Sequence, residues 1–444
     1  MTSYHCELAL LDGEGVRPDV QIELDGERIA TLEHGVPAGN EAIRLRGLVI
    51  PGLANAHSHA FHRALRGRTQ ARGKADESFW TWREQMYELA ARLTPDSYRE
   101  LARAVFGEMV LAGITAVGEF HYLHHDRDGA RYNAPNAMGE AVISAAREAG
   151  LRITLLDACY LHGGIGAPIE GTQRRFSDGD AERWAARVDQ LEAGPRTKVG
   201  AAIHSVRAVD PDAARVVAEW AGNHDAPLHA HVSEQPAEND ACREAYGATP
   251  TAVLERAGAL GARFTAVHAT HLVDEDISAL GRAGATCCLC PTTERDLADG
   301  IGPARSLAEA GSPLALGTDS HASIDIFEEA RAVELDERLA TGSRAIHEPE
   351  ALFAAATSAG QSSIGWADAG ALRPGALCDL VSVDLESVRL ADLDREDPIA
   401  ALIFAGSSSD VRDVVVGGEP VARDGAHLGM GVAAELAASI AELR

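Results

Sequence analysis

The sequence predicts an α/β fold: a closed (β/α)8 barrel of the TIM type, with a small β-sandwich domain assembled from both chain termini. Three observations predict it. Short apolar runs rich in β-branched residues alternate with Ala-, Glu- and Arg-rich helical stretches. There are eight such runs: Leu48–Leu53, Ile114–Phe120, Ile153–Ala158, Val199–Ile203, Leu228–Val232, Phe264–Val267, Ala285–Leu289 and Leu314–Leu316. The two ends of the chain break this pattern and alternate apolar with polar residues without helices. Strands alternating with helices pair in parallel through right-handed crossovers, and eight units suffice to close a barrel. A doubly wound open sheet is the competing arrangement. No Gly-x-Gly-x-x-Gly follows a first strand to support it as a dinucleotide-binding fold.

The boundaries follow from the same patterns. Residues 1–50 and 370–444 are expected to form the composite β domain, and 51–369 the barrel. In the first segment Val20-Gln-Ile-Glu-Leu precedes Asp25-Gly26. In the last, Asp413-Val-Val-Val precedes Gly417-Gly418. Asp-Gly and Gly-Gly between apolar pairs read as hairpin turns. The helix before the second run is the clearest. Thr94 can cap it, Pro95 suits its first turn, and Leu101, Ala102, Val105, Met109 and Val110 recur at helical spacing before Gly113 closes it.

Composition narrows the partners. A chain of 444 residues is too long for one compact core. Its net charge of -27 argues against nucleic acid or an anionic membrane as a partner. No apolar stretch is long enough to span a bilayer, and Met1-Thr-Ser-Tyr-His-Cys6 lacks the features of a secretion leader. The seven cysteines form no framework, which fits a reducing, cytoplasmic setting. Cys287, Cys288 and Cys290 cluster in a strand-like run and read as small buried apolar side chains.

Chemistry concentrates where runs end. His57-Ser58-His59 follows the first run, His231 ends the fifth, His268 the sixth and Asp319 the eighth. Barrel enzymes place their chemistry at the carboxyl ends of the strands. His57, His59, His231 and Asp319 would give three nitrogens and one carboxylate, leaving room for a water as a catalytic site requires. His229 projects to the same face as His231, but Glu234 follows His231 at a spacing that returns a carboxylate to the water. His229 and His271 are therefore read as packing or supporting residues. A bridging carbamylated lysine at the end of the fourth run would mark two metals. Lys198 instead starts that run, about 20 Å from its other end. One divalent ion is expected: zinc, with Fe(II) also compatible.

His-x-His, His-x-x-Glu, His and Asp on eight β/α units resemble the amidohydrolase superfamily, and the single-metal pattern resembles its deaminase branch. Longer segments look like the formimidoylglutamate deiminases within it: His57-Ser-His-Ala-Phe-His-Arg-Ala64, Ser78-Phe-Trp-Thr-Trp-Arg-Glu-Gln-Met-Tyr87, Glu119-Phe-His-Tyr-Leu-His-His-Asp126, His204-Ser-Val-Arg-Ala-Val209 and Cys290-Pro-Thr-Thr-Glu294. The resemblance implies hydrolysis of N-formimino-L-glutamate to N-formyl-L-glutamate and ammonia, a step of histidine degradation. It implies Arg83 and Arg207 as clamps for the two substrate carboxylates, with Tyr122, His204 and His62 adding hydrogen bonds. His62 stands where relatives are expected to carry Gln. Asp319 is the expected first base, His268 the group that orients the water, and Glu234 the carrier of a proton to the leaving nitrogen. His121, His124 and His125 have no assigned role. The expected assembly is a homodimer. Competing readings are a deaminase of the same branch acting on a purine, pterin or cytosine-like ring, and a non-catalytic barrel scaffold.

Overall fold

A computed structural model describes residues 2–70, 79–395 and 397–444. Ser78, the first residue of the aromatic segment quoted above, lies outside the described residues. Eight parallel strands form the predicted barrel: Leu53–Ser58, Ile114–His121, Arg152–Cys159, Thr197–Ile203, Leu228–Val232, Phe264–His268, Thr286–Leu289 and Leu314–Leu316. Each pairs with the next in chain order. The ring closes between the first and the last. Ser58 bridges Asp319 in parallel register. The Asp319 amide donates to His57 O at 3.0 Å, and the His59 amide to Asp319 O at 3.2 Å. Lower in the seam the Asn55 side chain substitutes for a ladder bond: Oδ1 accepts from the Thr318 amide at 3.0 Å, and Nδ2 donates to Thr318 Oγ1 at 2.7 Å.

The first apolar run needs correction. Leu48–Leu53 is not the first barrel strand. Its greater part belongs to Ile43–Pro51, a strand of the terminal sheet, and the barrel strand begins at Leu53. The chain passes between the two sheets at Gly52. The Gly52 amide donates to Asp379 O in the terminal domain, and the Leu53 amide to Gly113 O at the foot of the barrel. A Cβ at Gly52 would stand 2.1 Å from Thr115 Oγ1, so only glycine fits. Leu48–Pro51 and Leu53–Ser58 are buried, and no polar residue between them marks the change of sheet.

The terminal domain is one eight-stranded sheet in the order Ala426–His427, Glu419–Arg423, Val411–Val416, Leu380–Val383, Ile43–Pro51, Ser3–Leu11, Gly15–Asp25 and Arg28–Glu33. The two ends of the chain meet where Leu380–Val383 pairs antiparallel with Ile43–Pro51. The Asp25-Gly26 and Gly417-Gly418 hairpins form as expected, with all three glycines at positive φ. The tail also contributes a helix, Val432–Glu442. It packs on Pro95–Leu111, where Val432 faces Gly107 and Arg103 pairs with Glu435. Pro95–Leu111 is capped as its sequence indicates: Thr94 Oγ1 accepts from the Ser97 amide, and Ser97 Oγ accepts from the Thr94 amide. Among the described residues no helix is long and apolar enough to cross a membrane.

His121, His124 and His125, unassigned from sequence, are buried but do not line the cavity at the strand ends. Two of them belong to an ion network outside the barrel lumen. The Arg187 fork grips Asp157 at 2.8 and 2.9 Å, and its Nε donates to Asp178 at 3.0 Å. Trp184 Nε1 also donates to Asp157, and His125 lies 3.1 Å from Asp178. Burial alone would raise both carboxyls. Arg187 and His124 at Asp157, and His125 and Arg187 at Asp178, hold both below the usual range.

Arg187→Met would leave two buried carboxylates without their cation. It is expected to cost about 3–5 kcal/mol in urea unfolding at pH 7. Because both folded-state carboxyls are depressed, their contribution is present above the unfolded value of about 4 and disappears as pH falls through the folded values. The gap between wild type and variant should therefore narrow below pH 4. A constant gap from pH 7 to 3 would refute this role.

Candidate metal and substrate site

The strand ends bring the predicted ligands together. His57 is the penultimate residue of the first strand, and His59 follows the strand. His231 is in the fifth strand, His268 ends the sixth, and Asp319 follows the eighth. His57 Nε2 lies 3.2 Å from His231 Nε2 and 3.5 Å from Asp319 Oδ1. His59 Nε2 lies 3.5 Å from the same Oδ1. His268 Nε2 is 3.8 Å from Asp319 Oδ2 and 3.8 Å from Glu234 Oε1. Two overlapping sets, His57/His59/Asp319 and His57/His231/His268, each have ligand atoms within 4.8 Å of one another.

The hydrogen bonds behind these rings show what they present to the centre. His59 Nδ1 meets Phe120 O at 2.9 Å, and His231 Nδ1 meets His204 O at 2.8 Å. A carbonyl only accepts, so both Nδ1 atoms carry the proton and both Nε2 atoms turn lone pairs inward. Asp319 faces them with a carboxylate. His57 Nε2 has at most one proton, which cannot serve both His231 and Asp319, and its Nδ1 is buried without a partner. Burial pushes His57 down to about 3 and also lowers His59 and His231, keeping all three as neutral imidazoles. Burial would raise Asp319, but the hydrogen bond with His57 and the charge of His268 more than offset it. Converging lone pairs from three imidazoles and one carboxylate fit a divalent cation. His268 behaves differently. Burial lowers it, yet Glu234, Glu294 and Asp319 raise it to about 10, with Glu294 Oε1 3.3 Å from Nδ1.

The backbone around the centre is constrained. His268, Ala269, Asp319, His321 and Ser233, all at or just past strand ends, adopt positive φ without being glycine. Such conformations persist only where surrounding contacts enforce them. One such contact is a buried network missed from sequence. Ser58 donates to Glu119 and lies 3.1 Å from His321 Nε2, while the Ala60 amide donates to Glu119 Oε1 at 2.7 Å. It fixes the chain on both sides of His59. Burial pushes Glu119 up to about 8, against the pull of Ser58 and Ala60.

A cavity of about 230 Å³ opens over the ligands. His62, Arg83, Tyr122, His204 and Arg207 all line it, with Glu234, His268 and Asp319. His62 Nε2 and Tyr122 OH are 2.9 Å apart. Arg83, on the helix Phe79–Ala90, lies over the Tyr87 ring. Arg207 is engaged within the protein: Nη2 donates to Glu234 Oε2 at 2.6 Å, and Nε lies 3.9 Å from Glu238 Oε2. Sequence reasoning did not identify Glu238, or Glu294 as the partner of His268, although Glu294 ends one of the quoted segments. His229 bonds Ser363 O and His271 bonds Asp299 O, so neither joins the ligand cluster. Lys198 Nζ bonds Gly365 O at the opposite end of its strand. Cys287, Cys288 and Cys290 are free thiols, fully buried.

Removing a converging ligand should remove the ion. Asp319→Ala and His59→Ala are expected to lower bound divalent metal at least about tenfold by elemental analysis, whereas His229→Gln should retain it. Equal metal in all three would overturn the ligand assignment.

The comparisons agree with this geometry. The amidohydrolase family profile matches residues 48–421. Formimidoylglutamate deiminase of Pseudomonas aeruginosa is 37% identical over 440 residues, covering 97% of this chain and 96% of that one. An 8-oxoguanine deaminase from the same organism is 31% identical, covering 97% and 95%. The crystal structure of an amidohydrolase from Brucella melitensis superposes with a TM-score of 0.92 at 37% identity, covering both chains fully. With its strand-end cluster of three imidazoles and a carboxylate, this chain belongs to the amidohydrolase family.

Proposed function

We propose that this enzyme hydrolyses the formimino group of N-formimino-L-glutamate, giving N-formyl-L-glutamate and ammonia. The observation that carries the reading is the placement of Arg83 and Arg207 in one cavity above a three-nitrogen, one-oxygen cluster. Two guanidinium groups match a small ligand with two carboxylates, because a planar fork pairs with carboxylate oxygens. The 37% identity to a formimidoylglutamate deiminase supports the same substrate.

His57, His59, His231 and Asp319 would hold the ion, with zinc the best fit to neutral imidazoles and one carboxylate. Bound there, such an ion makes hydroxide available near neutral pH. The remaining work falls to the protein. In the reaction the water oxygen bonds to the formimino carbon, the bond from that carbon to its terminal nitrogen breaks, and the nitrogen leaves as ammonia carrying both water protons. Asp319 Oδ2 points towards His268 and takes the first proton. His268, kept protonated by three carboxylates, donates a hydrogen bond to the oxygen that gains negative charge. Glu234, 3.8 Å from His268, carries protons to the terminal nitrogen. His204 and the His62–Tyr122 pair complete the polar wall around the substrate.

A ring substrate is the second reading. Aromatic residues make up only 5% of the chain, which argued against it from composition. The fold gathers Trp82, Tyr87, Tyr122, Tyr160 and Phe176 around the cavity, so composition does not decide the matter. The two arginines favour the linear diacid.

Ammonia release by the purified protein should be at least about a thousandfold faster with N-formimino-L-glutamate than with 8-oxoguanine or adenosine. The reverse order would establish the ring reading. Arg207→Ala should raise KM for N-formimino-L-glutamate about 100-fold, and for N-formiminoglycine under about threefold. Equal rises would remove Arg207 as a clamp. Glu234→Gln should abolish turnover with metal content unchanged, and loss of metal would mean that Glu234 is a ligand.

A further inference from the structure

The arginine proposed above to clamp the substrate's side-chain carboxylate is already paired with Glu234. Arg207 Nη2 donates to Glu234 Oε2 at 2.6 Å in the cavity, where a clamp for the substrate is required. Glu234 is also the group that must reach the leaving nitrogen. While it is held by Arg207, its Oε2 is paired with a cation and not with the leaving nitrogen. Its other oxygen, Oε1, faces His268 at 3.8 Å, so a small rotation carries it towards the centre.

The opposite edge of Arg207 is held separately. Nε donates to Ser205 Oγ at 3.2 Å and lies 3.9 Å from Glu238 Oε2. Glu238, in the helix Pro236–Tyr246, is 1% exposed, and its Oε2 accepts the Glu234 amide at 3.2 Å. Its Oε1 is buried with no hydrogen-bond partner among the described residues. It cannot leave as Glu234 can. Among the described residues, this one guanidinium faces two carboxylates. A third, arriving with the substrate in a buried site, is accommodated when one of the first two moves off.

On the functional reading above, we propose that Glu238 is a positioning residue: it keeps Arg207 in place while the substrate's side-chain carboxylate displaces Glu234, so that recognition of this carboxylate frees Glu234 for proton transfer. The carboxylate then governs kcat as well as KM. A substrate without it binds but leaves Glu234 paired.

The test uses the metal-loaded wild-type enzyme with N-formiminoglycine, which has the reacting group and one carboxylate. Propionate supplies the missing arm as a separate molecule. Adding propionate is expected to raise kcat for N-formiminoglycine at least about tenfold, with saturation, and to inhibit turnover of N-formimino-L-glutamate by competing for Arg207. Arg207→Ala should abolish the response and turn over N-formiminoglycine faster than wild type. Glu238→Gln should lower kcat for N-formimino-L-glutamate about tenfold with KM changed under about threefold, and weaken the propionate response. If propionate leaves kcat for N-formiminoglycine unchanged or lowers it while the same preparation turns over N-formimino-L-glutamate, the handover is wrong and the functional reading stands. If the preparation releases no ammonia from N-formimino-L-glutamate, the functional reading itself falls.

Discussion

Closure of the barrel between its first and last strands is the constraint on which the rest depends. Closure and ligand placement are the same event. The Asp319 amide bonds His57 O, the His59 amide bonds Asp319 O, and these three residues supply three of the four expected ligands. Asn55 extends the seam with side-chain bonds to Thr318. Gly317 lets the strands approach, since a Cβ there would stand 2.7 Å from the His57 Cβ. Positive φ at Asp319 and His321 is imposed at the same place. An open sheet would separate His57 and His59 from Asp319 and leave lone pairs without a common focus.

Electrostatics then divide the labour among similar side chains. The chain carries a net charge of -27, yet the cavity collects Arg83, Arg207 and the raised His268. Local geometry outweighs the global charge because buried pairs are screened less than exposed ones. Histidines show the same principle. His57, His59 and His231 are neutral because burial costs them their proton, whereas His268 keeps its proton because three carboxylates face it. One residue type thus presents a lone pair or a positive charge according to what surrounds it. The two roles cannot be exchanged without moving Glu234, Glu294 or Asp319.

Outside the lumen the buried Arg187 network ties the third barrel strand and the loop after the second to the helix Ala181–Val188. Next to it stand His121, His124 and His125, in the same sequence segment as Tyr122. Alternation along the second strand separates them: Phe120 and Tyr122 meet the cavity rings, while His121 stacks on Tyr98. Neighbouring residues of one motif therefore face the cavity and the packed exterior of the barrel in turn.

By itself the sequence determined the barrel, its helix caps and hairpins, and which imidazoles stand at strand ends. These depend on local backbone preference, on periodicity and on residues a few positions apart. Thr94 with Ser97, Asp25-Gly26, and His57 with His59 were legible for that reason. Only the tertiary structure decided where the terminal sheet stops and the barrel starts, because buried residues continue on both sides of Gly52 without a change of pattern. It alone placed Arg207 on Glu234, Glu294 on His268 and five aromatic rings around one cavity. Arg207 and Glu234 stand 27 positions apart and His268 and Glu294 26, and a chain that must bend through a β/α unit before they meet leaves no local mark of them.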